Sequence, residues 1–503
     1  MLTSAQDAFG LASSSSPAST TVTPRKVIIL GGGLAGMSAA IEAHRAGAHV
    51  VLMEKEARLG GNSAKASSGI NAVLTPAQQE AHSNDSIETF TQDTIKSGGG
   101  MSDPVLVDVL VHSSPAAIEF LESFGLELRA LSKCGGHSEA RTHRSKATPE
   151  GDIKNVGWEI TSTLRKYLES LPTERLTILT SAKVTRLLLD EHNQVTGVAY
   201  TTSNQQDEKQ VMADAVILAT GGYGADREGL LERFAPQARH LATTNGGWAT
   251  GDGMKLAQQI GAELIQMDQV QIHPTAFVDP KDPTNPTKFL APEALRASGG
   301  ILINQQGKRF TNELGYRNVV TEAIFKHCEE AQVNEEEKQK GRPVPKVAYM
   351  ILNDAAVDLF QAAALSFYKS KGFIPEVQGV SELAKHLNVD EQVLKQTLLD
   401  YSAAKQKGVD EFGKTTFPVD FSLDDHFHVL TITPAIHYTM GGCRVDPQTH
   451  VLNASGQPIP GLYGAGEVTG GLHGHNRLAG NSLLDCVVFG RIAGQQAAKG
   501  ELH

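Results

Sequence analysis

The chain has 503 residues, with 45 Lys and Arg against 56 Asp and Glu, so it carries a net charge of −11. An apolar share of 40% excludes global disorder, and an acidic balance without any Lys/Arg-rich block argues against nucleic acid as a main partner. No run approaches the ~18 apolar residues of a transmembrane helix, and roughly 150 residues per domain suggests two to four domains.

Residues 1–24 are rich in Ser, Thr and Ala, with no Lys or Arg before Arg25. That composition lacks the basic start and apolar stretch of a secretory signal and the arginines of a mitochondrial presequence, so a flexible tail is expected. Lys26–Leu30 (KVIIL) reads as a buried parallel strand. The turn Gly31-Gly32-Gly33-Leu34-Ala35-Gly36 follows, then helical spacing over 37–46 ending at Gly47, a second strand at His49–Met53, and Glu54. Residues 60–72 are polar and glycine-rich, 84–125 have helical spacing, and 157–171 suit an amphipathic helix. Residues 177–189 and Val195–Thr202 read as a strand pair around Glu191-His192-Asn193. Another buried strand, 214–219, runs into Thr220-Gly221-Gly222. The stretch 268–325 mixes Pro, Gly and charges with short strands, 329–346 reads as an exposed loop, and 381–407 as two surface helices. Leu462-Tyr463-Gly464-Ala465-Gly466-Glu467 repeats the strand-then-glycine form, and a helix is expected from Ser482 to about Lys499.

The four cysteines, Cys134, Cys328, Cys443 and Cys486, lie far apart with no C-x-x-C pair. This removes zinc ribbons, c-type haem attachment and cysteine-ligated clusters, and no metal site is expected. Scattered thiols suit a reducing compartment, so a cytoplasmic location is expected, with the mitochondrion as the alternative.

Gly31-x-Gly33-x-x-Gly36 stands between a strand and a helix, with an acid at Glu54. In that context the first glycine permits the tight turn, the second lets backbone approach a pyrophosphate, and the third packs helix on strand. Leu34 and Ala35 open the helix whose N-terminus faces the anion, and Glu54 suits the ribose hydroxyls of an adenosine. NAD and FAD both fit this motif. The additional turns at Ala219-Thr220-Gly221 and at Gly466-Glu467 favour FAD, because an extended FAD crosses several strand ends. The expected class is therefore α/β, a discontinuous Rossmann-type FAD-binding domain with an inserted α+β capping domain.

Taken together these segments resemble the flavoprotein family of fumarate reductases and succinate dehydrogenases, most of all its soluble, single-chain, yeast-type branch. The resemblance rests on Lys55, the loop Gly60-Gly61-Asn62-Ser63-Ala64-Lys65-Ala66-Ser67-Ser68-Gly69-Ile70-Asn71, His273-Pro274-Thr275, Glu293-Ala294-Leu295-Arg296, Gly307-Lys308-Arg309-Phe310-Thr311-Asn312-Glu313, His437-Tyr438-Thr439-Met440-Gly441-Gly442 and His475-Asn476-Arg477-Leu478-Ala479-Gly480-Asn481-Ser482, and it covers residues 25 to about 500 in order. It implies FAD contacts from Lys55, Gly61, Asn62, Ser63, Ser68, Gly69, Asn71, Ala219, Thr220, Gly221, Gly466, Glu467, Arg477, Gly480, Ser482 and Leu483. Asp252 either approaches the flavin or marks a simple turn. The membrane-bound branch attaches FAD through a histidine in the loop 60–71; none is present here, so FAD is expected to be held non-covalently.

The reaction implied is fumarate to succinate, by hydride delivery from the flavin and addition of a proton. The likeness makes His273, His437 and Arg477 the carboxylate ligands and Arg317 the proton donor, also in contact with substrate, with Glu293 and Arg296 as its relay. Their i, i+3 spacing places both relay residues on one helical face. Arg309 and His475 are read as structural. Pro292 stands where many relatives carry a threonine whose hydroxyl touches substrate, and proline has neither a hydroxyl nor an N–H. No second nucleotide domain or cluster motif is present, so electrons come from an external reduced flavin or other soluble reductant; a monomer is expected. The alternatives are a related enoate reductase acting on urocanate or a cinnamate-like acid, an L-aspartate oxidase, and a non-catalytic flavoprotein. Expected boundaries are 25–267 and 438–503 for the FAD domain and 268–437 for the cap.

Overall fold

Lys26–Leu30 is buried at every position after its first, as a strand covered on both faces must be. The computed structural model describes residues 23–146, 155–203, 205–360 and 365–500, so most of the segment read as a tail lies outside the described residues. Along the chain the elements that position the site are β1 (Lys26–Leu30), α1 (Leu34–Arg45), β2 (His49–Met53), β3 (Leu176–Leu179), β4 (Ala215–Leu218), β5 (Val270–Phe277), α2 (Arg317–His327), β6 (Ala348–Asn353), β7 (Glu376–Gln378), β8 (His426–Thr439), β9 (His450–Leu452), β10 (Pro458–Gly464) and α3 (Asn481–Lys499).

The first sheet has the order β9-β10-β4-β1-β2-β3. All its pairings are parallel except the edge pair β9–β10. In register, Val27 stands between Val50 and Ala215, and β10 joins beside β4 through Val216 and Leu462. The chain thus leaves this sheet after β4 and returns to it more than two hundred residues later. Helix α1 lies almost entirely in the core. It is crossed by α3 at close range, where a Cβ on Gly490 or Gly494 would come within 2.5 and 2.3 Å of the Ala35 and Ala39 carbonyls. The expected class, α/β with a Rossmann-type nucleotide sheet, is the one observed.

The second sheet is mixed and is organised by the long strand β8, which pairs antiparallel with β5, β6 and β7. Two apolar cores result. One draws on buried residues from 27 to 267 and from 436 to 497, the other on residues from 277 to 432. Strand β8 runs from the second core toward the first and carries His437 and Thr439 at its far end.

Three local expectations need revision. The single strand read at 177–189 is broken at Ser181, whose φ is +53. Leu176–Leu179 joins the parallel sheet, while Ala182–Leu189 pairs antiparallel with Val195–Thr202. A third strand, Gln205–Met212, completes that smaller sheet; its exposed Asp207, Glu208 and Lys209 gave no apolar alternation to read. Within 329–346 a short helix forms at Glu335–Gln339, capped by Asn334 Oδ1 accepting from Glu337 N at 2.9 Å, with three glutamates in its first turn. Among the described residues no single helix is long and apolar enough to cross a membrane.

Candidate active site

The glycine turn is closed by contacts that admit no side chain. A Cβ on Gly31 would lie 2.2 Å from the Ala219 carbonyl oxygen, and one on Gly36 would lie 1.8 Å from the Gly31 carbonyl oxygen. Gly33 differs: a Cβ there would meet only Ser63 Oγ, at 3.9 Å. Its backbone faces a groove of about 900 Å³ at the carboxyl ends of the parallel strands. The groove is lined by Gly31, Gly33, Leu34, Ala35, Glu54, Lys55, Gly61, Asn62, Ser63, Ala219, Thr220, Gly221, Asp252 and Glu467. Glu54 directly follows β2, with its carboxylate accepting from Gly32 N and Glu56 N, both at 2.8 Å, and burial raises its pKa. Asp252 is the first residue of the helix Asp252–Gln259, not a simple turn, and its Oδ2 accepts from Lys55 Nζ at 2.8 Å.

Past Asn62, Ser63 and Glu467 the groove opens into a chamber of about 1570 Å³, walled by Ser68, Gly69, Gly480, Ser482, Leu483, His273, Arg317, His437 and Arg477. Three residues assigned to the cofactor line neither space. Gly36 packs α1 onto the turn. Asn71 is fully buried and donates to the Ala479 carbonyl and to Asn481 Oδ1, both at 2.7 Å, fixing the bend before Gly480. Gly466, with φ +77, turns the chain ahead of Glu467. A groove that runs from an acid at a strand end into a wide chamber fits FAD, whose nucleotide end Glu54 would hold, whose pyrophosphate Gly33 would admit and whose ring system the chamber walls would hold. When bound, FAD supplies the hydride chemistry.

Arg317 in the chamber wall leads into a chain of charged groups behind it. Arg317 opens α2, with Nε donating to Glu293 Oε2 at 2.7 Å and Nη1 to Gln271 Oε1 at 2.9 Å. Glu293 caps the helical turn Ala294–Ala297, and Arg296 on that turn brings Nη2 to 3.8 Å from Glu293 Oε2. Gly135 N also donates to Glu293 Oε1, at 3.2 Å. Arg477 is buried; its Nη2 donates to the same Gln271 oxygen at 3.1 Å, while its Nε has no partner among the described residues. His273 and His437 pack with ring centroids 5.4 Å apart. Nδ1 of His273 is held by the Thr275 backbone, and Nδ1 of His437 by Thr244 Oγ1 at 2.8 Å; Nε2 of His273 lies 4.0 Å from Glu293 Oε2. Pro292 is buried and is not in the chamber wall. Arg309 and His475 stand elsewhere: Arg309 pairs with Glu313 and Asp410, and His475 Nδ1 contacts Gln269 Oε1.

The electrostatics are one-sided. Burial and the nearby Arg317 and Arg296 charges hold His273 well below the ordinary histidine range; burial and Arg477 do the same to His437, so both imidazoles are neutral. Burial lowers Arg477 to about 10, assisted by the Arg317 charge. Burial pushes Glu293 up, but Arg317 and Arg296 more than offset it and bring it down to about 2. Two guanidinium groups sharing one neutral amide oxygen, with an unpartnered N–H on Arg477 and two neutral rings in the same chamber wall, make a site suited to an anion.

Sequence reasoning assigned no role to Gln271, Thr244 or Lys65. Gln271 had a legible signal: it is two residues before His273 on one strand, hence on the same face, and both are buried. Thr244 is placed beside His437 only by the pairing of Ala242–Thr243 with β8. Lys65 lies in the chamber wall, its Nζ donating to the Thr244 carbonyl; burial lowers its pKa to about 8.

Fold and site together define a flavin-dependent oxidoreductase. Residues 26–483 match the family described as an FAD binding domain. A fumarate reductase of Schizosaccharomyces pombe is 43% identical over 95% of this chain and 90% of its own length. Fumarate reductase 1 of Saccharomyces cerevisiae is 39% identical over 94% of this chain and 98% of its own. Among solved structures, the open conformation of a flavocytochrome c3 fumarate reductase superposes with a TM-score of 0.77 at 33% identity, covering 94% of this chain and 78% of that one. The chain belongs to this fumarate reductase family of FAD-binding flavoproteins.

Proposed function

We propose that the protein is an FAD-dependent fumarate reductase that converts fumarate to succinate with electrons from an external reduced donor. The observation that carries this reading is the buried anion site made by Arg477 and Arg317 around Gln271, flanked by two neutral histidines and backed by the Arg317–Glu293–Arg296 chain. A dianion with a carboxylate at each end of a short planar carbon frame matches it. Arg477 binds one carboxylate through the N–H groups that lack partners, and guanidinium is well suited to bidentate contact. His437 binds as a neutral donor: when Thr244 Oγ–H donates to Nδ1, the ring carries its proton on Nε2, toward the carboxylate, and His273 does the same only in the tautomer in which Thr275 N donates to its Nδ1. Tilting a carboxylate out of the alkene plane makes the adjacent carbon electrophilic.

Arg317 then gives a proton to the carbon that gains negative charge. A guanidinium is a very weak acid and gives up its proton only to a strong base. Glu293 Oε2 at 2.7 Å is placed to return that proton, and Arg296 to hold the charge on Glu293. One hydride and one proton are added and the double bond is lost, which balances fumarate against succinate.

The finer parts of the reading follow. FAD is held non-covalently, since residues 60–71 contain no histidine. Residues 25–267 and 438–503 form the FAD domain, and 268–437 a cap whose closure excludes water. The donor is a reduced flavin or other soluble reductant, the protein acts as a monomer, and the four free thiols suit the cytoplasm, with the mitochondrion as the alternative. The test is anaerobic reoxidation of the dithionite-reduced flavoprotein on adding fumarate, with crotonate, urocanate and cinnamate as controls. Reoxidation by fumarate alone supports the reading. Reoxidation only by a monocarboxylate overturns the substrate, and no reoxidation by any of them favours a non-catalytic flavoprotein. The chamber wall also includes Phe289, Phe367 and Tyr368, and this aromatic side favours a bulkier enoate as the second reading. Acid precipitation that leaves FAD in the supernatant checks the non-covalent attachment.

A further inference from the structure

A second group of ionisable side chains lies at the edge of the mixed sheet, at the opposite end of β8 from His437. His426 and His428 are at alternate positions of β8 and so project from one face. Asp354 begins the helix that follows β6, and Glu376 lies on β7 directly across from His428. Asp354 Oδ1 is 2.9 Å from His426 Nδ1 and 2.7 Å from His428 Nε2. Glu376 approaches the other nitrogens of the same two rings, at 3.1 Å from His428 Nδ1 and 3.9 Å from His426 Nε2.

His428 is the informative member. Its side chain is 3% exposed, and it has a carboxylate oxygen against each ring nitrogen. A neutral imidazole has one N–H, so it can satisfy one of those carboxylates and must turn a lone pair toward the other. The close approach of Glu376 to Nδ1 is not an aligned hydrogen bond, so a buried polar atom is left unpartnered there. Lys369 Nζ, 2.5 Å from Glu376 Oε1, offsets the charge on that side, whereas among the described residues the Asp354 oxygen between His426 and His428 has no Lys or Arg paired with it.

We propose that His426, His428 and Asp354 bind a divalent first-row transition metal, with zinc the best fit. Two imidazoles and one carboxylate are a borderline donor set that suits zinc and is poorly matched to calcium or magnesium, which take oxygen ligands. In a tetrahedral site with ligands at about 2.1 Å, donor atoms stand about 3.4 Å apart. The 2.7 and 2.9 Å separations here therefore need to open by about 0.5–0.7 Å, within reach of a side-chain adjustment at partly exposed Asp354 and His426. Glu376 then occupies the place of the outer carboxylate that accepts from the far N–H of a metal-bound histidine and fixes its orientation. Water completes the coordination on the open side, where Asp354 is 64% exposed. Because Asp354 precedes the two histidines by some seventy residues and meets them only through the sheet, no spacing in the sequence announces the set. Such a metal would clasp β6, β7 and β8 at the rim of the cap.

The test uses the FAD-loaded protein, stripped with EDTA, desalted and titrated with ZnCl2 by calorimetry, with CoCl2 as a spectroscopic probe. The expected result is one saturable equivalent per chain, a tetrahedral cobalt ligand-field band at wavelengths beyond the flavin absorption, and a rise in Tm with zinc. His426→Ala and Asp354→Asn, both at partly exposed positions, should weaken zinc binding by about tenfold or more and remove the Tm shift. Turnover of both variants without zinc should match that of the unaltered protein. Absence of saturable binding would overturn the proposal and leave a histidine ion-pair cluster held by a proton. Binding that is unchanged in both variants would overturn it as well, by placing the metal elsewhere.

Discussion

Arg317 Nε donates to Glu293 Oε2 at 2.7 Å, and the same oxygen lies 3.8 Å from Arg296 Nη2. One carboxylate thus serves two guanidinium groups, and their attraction outweighs the burial that would otherwise raise its pKa. Its folded pKa, about 2, is below the ordinary carboxylate range, so the stability it contributes is present above that range and is lost as pH falls through about 2. Glu293 therefore adds no acid limb near pH 4–5 to the rate profile. Arg317→Ala should lower kcat by about 10³-fold, within the span typical of a positioned acid. Flavin absorbance and binding should be retained. Unchanged kcat with FAD still bound would remove Arg317 from the proton-donor role.

Lys65 gives a pH dependence of the opposite kind. Burial lowers its pKa to about 8, and its nearest partner is a carbonyl, not a carboxylate. The folded state thus binds fewer protons at this group than the unfolded chain between about pH 8 and its ordinary value of about 10.4, so this group makes stability rise with pH over that window. For an anionic ligand the sign reverses, because the cation that attracts it disappears. Fumarate KM should therefore rise as pH passes about 8, with little change in kcat. In Lys65→Gln the KM should be higher at neutral pH and its dependence across that pH flat. A KM in the variant that still climbs through pH 8 would assign the titration to another group.

The nucleotide half of the molecule was legible because its signals are local. A run of apolar residues, glycines at fixed offsets and an acid at the next strand end all fall within 26–54, and the structure builds one wall of the groove from these. The chamber was legible only through resemblance, since His273, Glu293, Arg317, His437 and Arg477 come from five separate segments. Gln271, which joins the two arginines, was missed because glutamine carries no charge to attract notice and its role depends on a partner some two hundred residues away. The strand Gln205–Met212 was missed because it pairs at a surface and shows no apolar alternation.

Glu313 shows how the relay is braced. It is fully buried, takes both Nε and Nη2 of Arg309 at 2.8 Å, and takes Lys414 Nζ at 2.9 Å. Its backbone carbonyl accepts from Arg296 Nη1, so the same residue that neutralises two buried cations also positions the relay arginine. Removing one partner of a buried ion pair leaves an uncompensated charge and costs about 3–5 kcal/mol. Glu313→Ala should reduce unfolding free energy by about that amount, read from the midpoint in guanidinium chloride at unchanged slope. Lys414→Met should cost less, because Arg309 still pairs with the carboxylate. Equal and small losses from both substitutions would show that the cap does not depend on this network.

Two of the four glycines of the turn, Gly33 and Gly36, separate folding from cofactor binding. At Gly36 a Cβ would be 1.8 Å from a backbone oxygen, so Gly36→Ala cannot be accommodated without moving α1 off the sheet. At Gly33 the nearest atom is Ser63 Oγ at 3.9 Å, and the added methyl occupies only the space that the pyrophosphate is expected to cross. Gly33→Ala should therefore keep its Tm in the flavin-free form within about a degree of the unaltered protein, since a substitution into open space lies within about ±0.5 kcal/mol. Its FAD affinity should fall at least about tenfold, or about 1.4 kcal/mol, read from flavin fluorescence on titration of the flavin-free protein. Gly36→Ala should lose soluble, folded protein before any flavin is added. If Gly33→Ala binds FAD as tightly as the unaltered chain, the pyrophosphate does not pass over this glycine, and the orientation of the dinucleotide in the groove must be redrawn.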